Sequence, residues 1–126
     1  MIDLNEICAH VGEAKLRAMV AAFYAEVRED DVIGPLYPQD DWMGAEKRLA
    51  DFLVYRLGGP QTYLEERGHP RLRMRHMPFS IGLAEMDRWL EIMGRAMRTA
   101  AIPDDVAPVL ASFFAQVADQ MRNRAH

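Results

Sequence analysis

Several features that mark other classes of protein are scarce in this sequence. It contains a single cysteine, Cys8, which excludes an internal disulfide and a metal site built from several thiolates. We interpret Cys8 as a small core residue, with a reactive thiol as the alternative. No stretch approaches the roughly 20 consecutive apolar residues that a membrane-spanning helix requires. We therefore predict a protein without a membrane partner.

An excess of positive charge is also lacking. The 15 lysines and arginines are outnumbered by 19 aspartates and glutamates, and the formal net charge is −4. Without a basic stripe there is no electrostatic footprint for phosphate backbones, so we predict no nucleic-acid partner. The first residues carry acidic side chains and no cationic flank, which is not the pattern of a secretory signal. We therefore expect a cytoplasmic protein.

What the sequence does contain is a helical pattern in an apolar chain of single-domain size. Half of its 126 residues are hydrophobic, so we expect one domain over residues 1–126 with a substantial core. Apolar residues recur at spacings of three and four, whereas the alternation typical of strands is nearly absent. This pattern predicts an all-α fold. The predicted helices span residues 5–11, 12–30, 42–57, 83–100 and 106–121.

The segment from residue 61 to 82 is divided by glycines and prolines and carries two of the four histidines, His69 and His76. His76 falls in the last turn of a short helix predicted around residues 71–76, whereas His69 precedes a proline and is biased to extended backbone. No His, Cys, Asp or Glu lies three or four residues from His76, as a zinc or di-iron site would require. A lone histidine suits haem, where the porphyrin supplies four ligands. The alternative is an ordinary surface or core histidine.

Further polar side chains could serve such a site. Tyr24, Tyr37 and Trp89 carry hydrogen-bond donors among apolar neighbours, and core packing is the alternative interpretation for each. Near an axial histidine they could donate to a bound ligand that carries negative charge. Arg48 and Arg75 could clamp the two haem propionates, whereas a solvated face with weak ion pairs is the commoner role of such residues.

Four segments together resemble the group II truncated haemoglobins, and the resemblance covers nearly the whole chain. It includes Phe23-Tyr24 and Trp89, and the run His-Pro-x-Leu-Arg-x-Arg-His that ends at His76 is specific to that family. The segments are Tyr37-Pro38-Gln39-Asp40-Asp41, Gly44-Ala45-Glu46-Lys47-Arg48-Leu49, Gly58-Gly59-Pro60-Gln61-Thr62-Tyr63, and Arg67-Gly68-His69-Pro70-Arg71-Leu72-Arg73-Met74-Arg75-His76 followed by Pro78-Phe79.

The resemblance implies a two-over-two helical sandwich of the truncated globin fold, in which the helix at 12–30 pairs with that at 42–57 and the last two helices form the other pair. It implies haem b (iron protoporphyrin IX) with His76 as the proximal iron ligand. Tyr24, Tyr37 and Trp89 match the distal donors of the family. Ala45 lies where many globins carry a distal histidine or glutamine. The side chains that would contact the haem are Leu49, Phe52, Leu53, Phe79 and Trp89.

The function that follows is binding of dioxygen, carbon monoxide, nitric oxide or peroxide, with slow release that argues against bulk oxygen transport. An alternative is redox turnover at the same iron, either nitric oxide dioxygenation or peroxide-driven oxidation. Because the chain has no flavin or nicotinamide motif, turnover would require an external reductase. A helical interaction domain without haem is a third interpretation. The sequence leaves open whether the protein is a monomer or a homodimer.

Overall fold

A computed structural model describes residues 2–60 and 80–123, and these residues form helices and connecting turns without a strand. The all-α prediction is confirmed. Short 3₁₀ turns lie at Leu4–Glu6 and Gly34–Leu36. The α-helices are α1 (Ile7–Val11), α2 (Glu13–Val27), α3 (Trp42–Arg56), α4 (Leu83–Thr99) and α5 (Ala107–Met121). The helix predicted around residues 71–76 lies outside the described residues.

The helix ends follow local signals in the sequence. We expected α2 to continue to Asp30, but it ends three residues earlier because the Asp30 carboxylate accepts hydrogen bonds from the backbone N–H groups of Val32 and Ile33. This Asx-type turn redirects the chain. At the end of α3, Gly58 adopts φ +95°, and a Cβ there would lie 1.8 Å from the Asn5 carbonyl oxygen. The predicted stop at Gly58 is confirmed.

The helix α2 lies at the centre of the packing. It contacts α3 on one side and α4 on the other, and α4 also packs against α5. The predicted pairing of α2 with α3 and of α4 with α5 is confirmed. The apolar stripe predicted for α2 is fully buried, and it consists of Leu16, Met19, Val20, Phe23 and Val27.

The spacing of apolar residues in α4 predicts a stripe of Met86, Trp89, Leu90, Met93 and Met97, which is only partly buried in the structure. The residues buried in this helix are Ile92, Met93 and Ala96. Of the stripe expected from the spacing, only Met93 is buried, and Trp89 is among the residues that stay partly exposed. Trp89, Leu90 and Met97 nevertheless pack against the core, so the predicted stripe faces the other helices at the margin of the core.

Polar contacts fix the relative positions of the helices. Lys15 in α2 donates from Nζ to the carbonyl oxygens of Ala100 and Ala101, each at 3.3 Å, just after α4. The start of α4 is joined to the end of α5, since the backbone N–H of Ile81 donates to Asn123 Oδ1 at 2.9 Å and the Asn123 N–H donates to the Ile81 carbonyl at 2.8 Å. No helix within the described ranges is long and apolar enough to cross a membrane.

Candidate functional site

Three side chains predicted as ligand donors meet in the structure, although they come from three separate elements. Tyr24 lies in α2, Tyr37 directly after the second 3₁₀ turn, and Trp89 in α4. The rings of Tyr24 and Tyr37 pack edge to face with centroids 5.4 Å apart. Tyr37 also forms side-chain hydrogen bonds with both Tyr24 and Trp89. We refer to these three residues as the tyrosine–tryptophan cluster.

Both phenols of the cluster are neutral, because their pKa values are raised. Burial raises the pKa of Tyr24, and the neighbouring Tyr37 raises it further. Burial also raises the pKa of Tyr37, to about 12, although the bonds from Trp89 and Tyr24 act in the opposite sense. An indole N–H can only donate. The Trp89 N–H therefore donates to Tyr37. In the bond between the two tyrosines one hydroxyl donates to the other, so one phenolic O–H proton of the cluster is left to donate elsewhere.

Apolar rings hold the cluster from behind. Phe23, the neighbour of Tyr24 in α2, packs against Tyr24 at 5.2 Å and against Trp89 at 5.1 Å between ring centroids. Phe114 of α5 packs edge to face on Trp89 at 5.6 Å. Tyr24 is only 4% exposed. Because an O–H or N–H group surrounded by apolar rings is poorly solvated, the donors of this cluster are stronger than they would be in water.

The connector that carries Tyr37 is held in place by its own polar groups. Burial opposes ionisation of Asp30, but hydrogen bonds from the Ile33 N–H and from Arg88 of α4 lower its pKa overall. Asp30 Oδ1 accepts from Arg88 Nη1 at 2.5 Å. Farther along, Gln39 Nε2 donates to the carbonyl oxygens of Gly34 at 2.9 Å and Tyr37 at 2.7 Å. These contacts fix the loop on both sides of the Tyr37 ring.

The helix α3 supplies the apolar residues predicted to contact a haem. Phe52 and Leu53 are buried. Leu49, which lies one helical turn after Ala45, is partly exposed. Ala45 is 6% exposed, so a methyl group stands where many globins carry a larger distal side chain. Nothing from this position supplies a hydrogen-bond donor.

Arg48 lies next to Leu49 on the rim of the same helix and is 46% exposed. Its Nη1 donates to Asp41 Oδ2 at 3.2 Å, so its partner in the described structure is a carboxylate. Its charge lowers the pKa of Tyr24, which indicates that the guanidinium lies near the cluster. His76, Arg75 and Phe79, and with them the alternative ligand His69, lie outside the described residues. The proximal half of the predicted site is therefore still a prediction.

Several residues around the site were not singled out from the sequence. Trp42, the first residue of α3, stacks on Tyr37 with ring centroids 5.8 Å apart and an interplanar angle of 29°. The guanidinium of Arg28 lies 5.5 Å from the centre of the Trp42 ring. Both contacts depend on the path of the connector between α2 and α3, which has no periodicity. The one available signal was the tryptophan itself, five positions after Tyr37.

Comparison with known proteins identifies the arrangement. Residues 9–123 match the sequence profile of the bacterial-like globins. The chain belongs to that family. A group 2 truncated haemoglobin of Bacillus subtilis is 38% identical over 100 residues, which cover 79% of this chain and 75% of that protein. The predicted resemblance to group II truncated haemoglobins is confirmed.

Solved structures agree with this assignment. A haemoglobin from the phototrophic bacterium Chloroflexus aurantiacus superposes with a TM-score of 0.88 at 41% identity, covering 98% of this chain and all of the other. A structure described as truncated oxygen-avid haemoglobin from Bacillus subtilis superposes with a TM-score of 0.87 at 34% identity, covering 92% of this chain and 98% of the other. The two-over-two sandwich is thus the fold of this globin.

Membership of the globin family implies a haem cofactor and haem-based ligand binding. The described residues fit such a cofactor chemically. Uncharged donors lie on the buried side, apolar side chains of α3 such as Leu49 and Phe52 offer a surface for a porphyrin, and the half-exposed Arg48 offers a cation at the rim. A flat apolar ring that bears two carboxylates at one edge requires this combination of surroundings.

Proposed function

We propose that this globin binds haem b through His76 and retains dioxygen through the tyrosine–tryptophan cluster, in which Tyr37 donates to the ligand and Tyr24 and Trp89 hold its hydroxyl in place. The observation that carries the proposal is the arrangement at Tyr37. Its side chain is hydrogen-bonded to both Tyr24 and Trp89, so two neighbours hold its hydroxyl in one place, from which we propose that it donates to the ligand. A donor oriented before the ligand arrives loses little freedom on binding.

The donors favour ligands that carry negative charge. Haem iron, when bound, supplies the position at which a diatomic ligand attaches and gives dioxygen more negative charge than carbon monoxide. Tyr37 can then donate to such a ligand without being ionised, since the pKa values of both phenols are raised. A hydrogen bond to a charged acceptor contributes about 1.5–3 kcal/mol, which corresponds to a tenfold to hundredfold slower release. Retention suits these residues better than bulk transport.

Other residues would hold the cofactor in place. We assign the axial nitrogen to His76 and the propionate contacts to Arg48 and Arg75. For Arg48 the support is its half-exposed position near the cluster, although binding a propionate would require it to exchange or share its contact with Asp41. Among the relatives, the Bacillus subtilis protein described as oxygen-avid is consistent with strong retention of dioxygen in this fold.

The distal part of the proposal is tested by dissociation kinetics. We expect Tyr37→Phe and Trp89→Phe each to speed dioxygen dissociation by about tenfold or more, because each substitution removes or misdirects a charge-assisted hydrogen bond. Carbon monoxide dissociation is expected to change far less. Rates are measured by stopped-flow mixing of the ligated ferrous protein with a competing ligand.

Tyr55→Phe is the matched control, since it removes the same hydroxyl from a tyrosine of α3 outside the cluster. It should leave both ligand rates unchanged. Equal acceleration of dioxygen and carbon monoxide release in the cluster variants would indicate general opening of the site. Unchanged dioxygen rates in both variants would overturn the donor assignment.

The proximal part is tested by haemin titration of the wild-type protein and of His76→Gly. We expect the wild type to develop an intense Soret band and the variant to lose the histidine-ligated spectrum. Added imidazole should restore that spectrum, because it can occupy the space left by the side chain and provide the same nitrogen. A normal spectrum in His76→Gly, lost instead in His69→Gly, would transfer the axial role to His69.

A second candidate function is redox turnover at the same iron, either nitric oxide dioxygenation or peroxide-driven oxidation, with an external reductase where electrons are required. The observation that favours it is the contact between Tyr37 and the partly exposed Trp42, which extends a set of oxidisable rings toward the surface. Peroxide-dependent oxidation of a phenolic test substrate is expected to fall in Trp89→Phe. Equal turnover in both proteins would leave dioxygen retention as the better function.

A further inference from the structure

We infer that Trp42 is a positioning residue for ligand binding, which acts by holding the ring of Tyr37 so that its hydroxyl points in a fixed direction. The inference rests on the proposed donor role of Tyr37. It concerns a residue of α3 that no sequence motif identified, and it extends the functional site beyond the three donors to the side chain that packs behind one of them.

The geometry shows that Tyr37 is confined on two sides. Trp42 lies nearly parallel to it, with 5.8 Å between centroids and an interplanar angle of 29°, whereas Tyr24 meets it edge to face at 5.4 Å. Trp42 itself also packs edge to face on Tyr24 at 6.4 Å. The three rings form a closed triangle, so a rotation of the Tyr37 ring would collide with Trp42 or lose its contact with Tyr24.

Contacts at both ends of the connector between α2 and α3 hold Trp42 in place. The Arg28 guanidinium, directly after α2, lies 5.5 Å from the centre of the indole, a cation–π distance. Asp41 caps α3, since its Oδ1 accepts from the Gly44 N–H at 3.1 Å, and it also pairs with Arg48. Because Trp42 follows the capping residue, its backbone has a defined helical start. The ring that supports Tyr37 is therefore itself held in place.

This support affects function because hydrogen bonds depend steeply on direction. A hydrogen bond prefers a donor angle above about 150° and weakens steeply below about 120°. The backbone around Tyr37 consists of a single 3₁₀ turn, so side-chain contacts must determine where the hydroxyl points. Without Trp42, the Tyr37 ring gains freedom on the face that the indole covers, and its O–H would spend less time directed at the ligand.

A purely structural role for Trp42 makes different predictions. If the indole only fills space, its loss lowers stability and affects all ligands alike. If it positions Tyr37, its loss affects dioxygen selectively, and only while the Tyr37 hydroxyl is present. These predictions can be separated by a double-mutant cycle between the two positions.

The experiment compares dioxygen and carbon monoxide dissociation in haem-loaded Trp42→Leu, Tyr37→Phe and the double variant. We expect Trp42→Leu to accelerate dioxygen release by about threefold to tenfold, part of the effect of losing the whole bond. In the Tyr37→Phe background the same substitution is expected to have no further effect. Trp42→Phe, which keeps a stacked ring, should restore most of the retention.

Met43→Leu is the control, because it alters the next residue of α3, whose side chain is 82% exposed. It should match the wild type. Thermal unfolding verifies that each variant is folded, and Trp42→Met replaces Trp42→Leu if the latter does not fold. The infrared stretch of carbon monoxide is an independent readout of the donors, and we expect Trp42→Leu to shift it in the same direction as Tyr37→Phe.

The outcomes distinguish this inference from the proposed function. If Tyr37→Phe leaves the rate of dioxygen dissociation unchanged, the donor role of Tyr37 is wrong, and so is the positioning role of Trp42. If Tyr37→Phe accelerates dioxygen release but Trp42→Leu and Trp42→Met do not, the donor role stands and the positioning role is wrong. Additive effects in the double variant would likewise overturn it, since Trp42 would then act independently of the Tyr37 hydroxyl.

Discussion

Two regions of this globin place polar side chains beside α2, and they do so with opposite chemistry. On one side, the tyrosine–tryptophan cluster consists of neutral donors from three elements. On the other, the buried carboxylate of Asp51 in α3 accepts from Arg17 Nη2 at 2.8 Å and Lys47 Nζ at 2.7 Å. Asp51 is 6% exposed, whereas Arg17 and Lys47 are 40% and 59% exposed.

The difference indicates which region is structural and which serves a ligand. Asp51 is acceptor-only when ionised, and cationic donors from α2 and α3 meet both of its oxygens, so it joins two helices. In the cluster Tyr24 and Trp89 are both hydrogen-bonded to Tyr37, and one phenolic proton is left to donate. A buried group such as Asp51, whose partners come from its own chain, stabilises the fold. A cluster that keeps a donor can bind a ligand.

The largest expected effect comes from removing two cluster donors together. Tyr24→Phe combined with Trp89→Phe takes away both hydrogen bonds that orient Tyr37 and should accelerate dioxygen dissociation by about tenfold to a hundredfold, because Tyr37 no longer holds its O–H toward the charged ligand. Stopped-flow kinetics measure the rate, and thermal unfolding is expected to show a modest change. A dissociation rate within twofold of the wild type would contradict the assignment of the cluster to ligand binding.

The complementary substitution is Asp51→Ala on the other side of α2. We expect the free energy of unfolding to fall by about 1–3 kcal/mol, because a buried acceptor that joins α2 to α3 is lost. The exposed parts of Arg17 and Lys47 can be solvated, which keeps the loss moderate. Denaturant titration measures it. Dioxygen dissociation should remain at the wild-type rate, and a large acceleration would mean that this region also supports the ligand site.

The phenol of Tyr37 and the carboxylate of Asp30, which holds the connector, should affect stability at opposite ends of the pH scale. Tyr37 has its pKa raised to about 12 from an ordinary value near 10. Its contribution to stability is complete below about pH 10 and is lost as the pH rises from 10 to 12. The pKa of Asp30 is lowered, so its contribution to stability is complete above its ordinary pKa. That contribution is lost as the pH falls through the lowered pKa.

Free energies of unfolding measured at alkaline pH for Tyr37 and at acidic pH for Asp30 test the direction of both effects. Dioxygen dissociation should be constant from about pH 7 to 10, because the phenols stay protonated. An acceleration that sets in well below pH 10 would contradict the protonated, buried state of the tyrosines.

The smallest effect is expected outside both regions, at the end of α4. Ala101 adopts φ +56°, with its N–H donating to the Arg98 carbonyl and the Ile102 N–H donating to the Met97 carbonyl. This Schellman motif favours glycine at the left-handed position. Ala101→Gly should therefore stabilise the protein by roughly 0.5–1 kcal/mol, measured by denaturant titration, with ligand rates unchanged. Altered ligand rates here would show that stability alone can affect release.

The sequence predicted the helices well because their apolar periodicity is local. The α2 stripe from Leu16 to Val27 and the stop at Gly58 follow from spacing and backbone conformation alone. The proximity of Tyr24, Tyr37 and Trp89 came from the family resemblance, since no spacing rule joins three elements. Their roles as donors stay a prediction, as does the axial role of His76.

What the sequence did not reveal depends on the connector and on tertiary pairing. The stack of Trp42 on Tyr37 requires a 3₁₀ turn whose path is determined by Asp30 and its contact with Arg88, 58 positions away. Likewise, Asp51 looks like an ordinary surface residue in the sequence until α2 packs against α3. Interactions between distant segments carry no periodic signal, so only the folded chain shows them.

The central claim is that the tyrosine–tryptophan cluster directs donors at the ligand, and the infrared C–O stretch of the carbon monoxide complex tests it most directly. Donors near the ligand oxygen weaken the C–O bond and lower its frequency, so we predict a higher frequency in Tyr37→Phe and Trp89→Phe than in the wild type. Asp51→Ala should leave the band unchanged. The same frequency in all four proteins would contradict the account, because no donor would then reach the ligand.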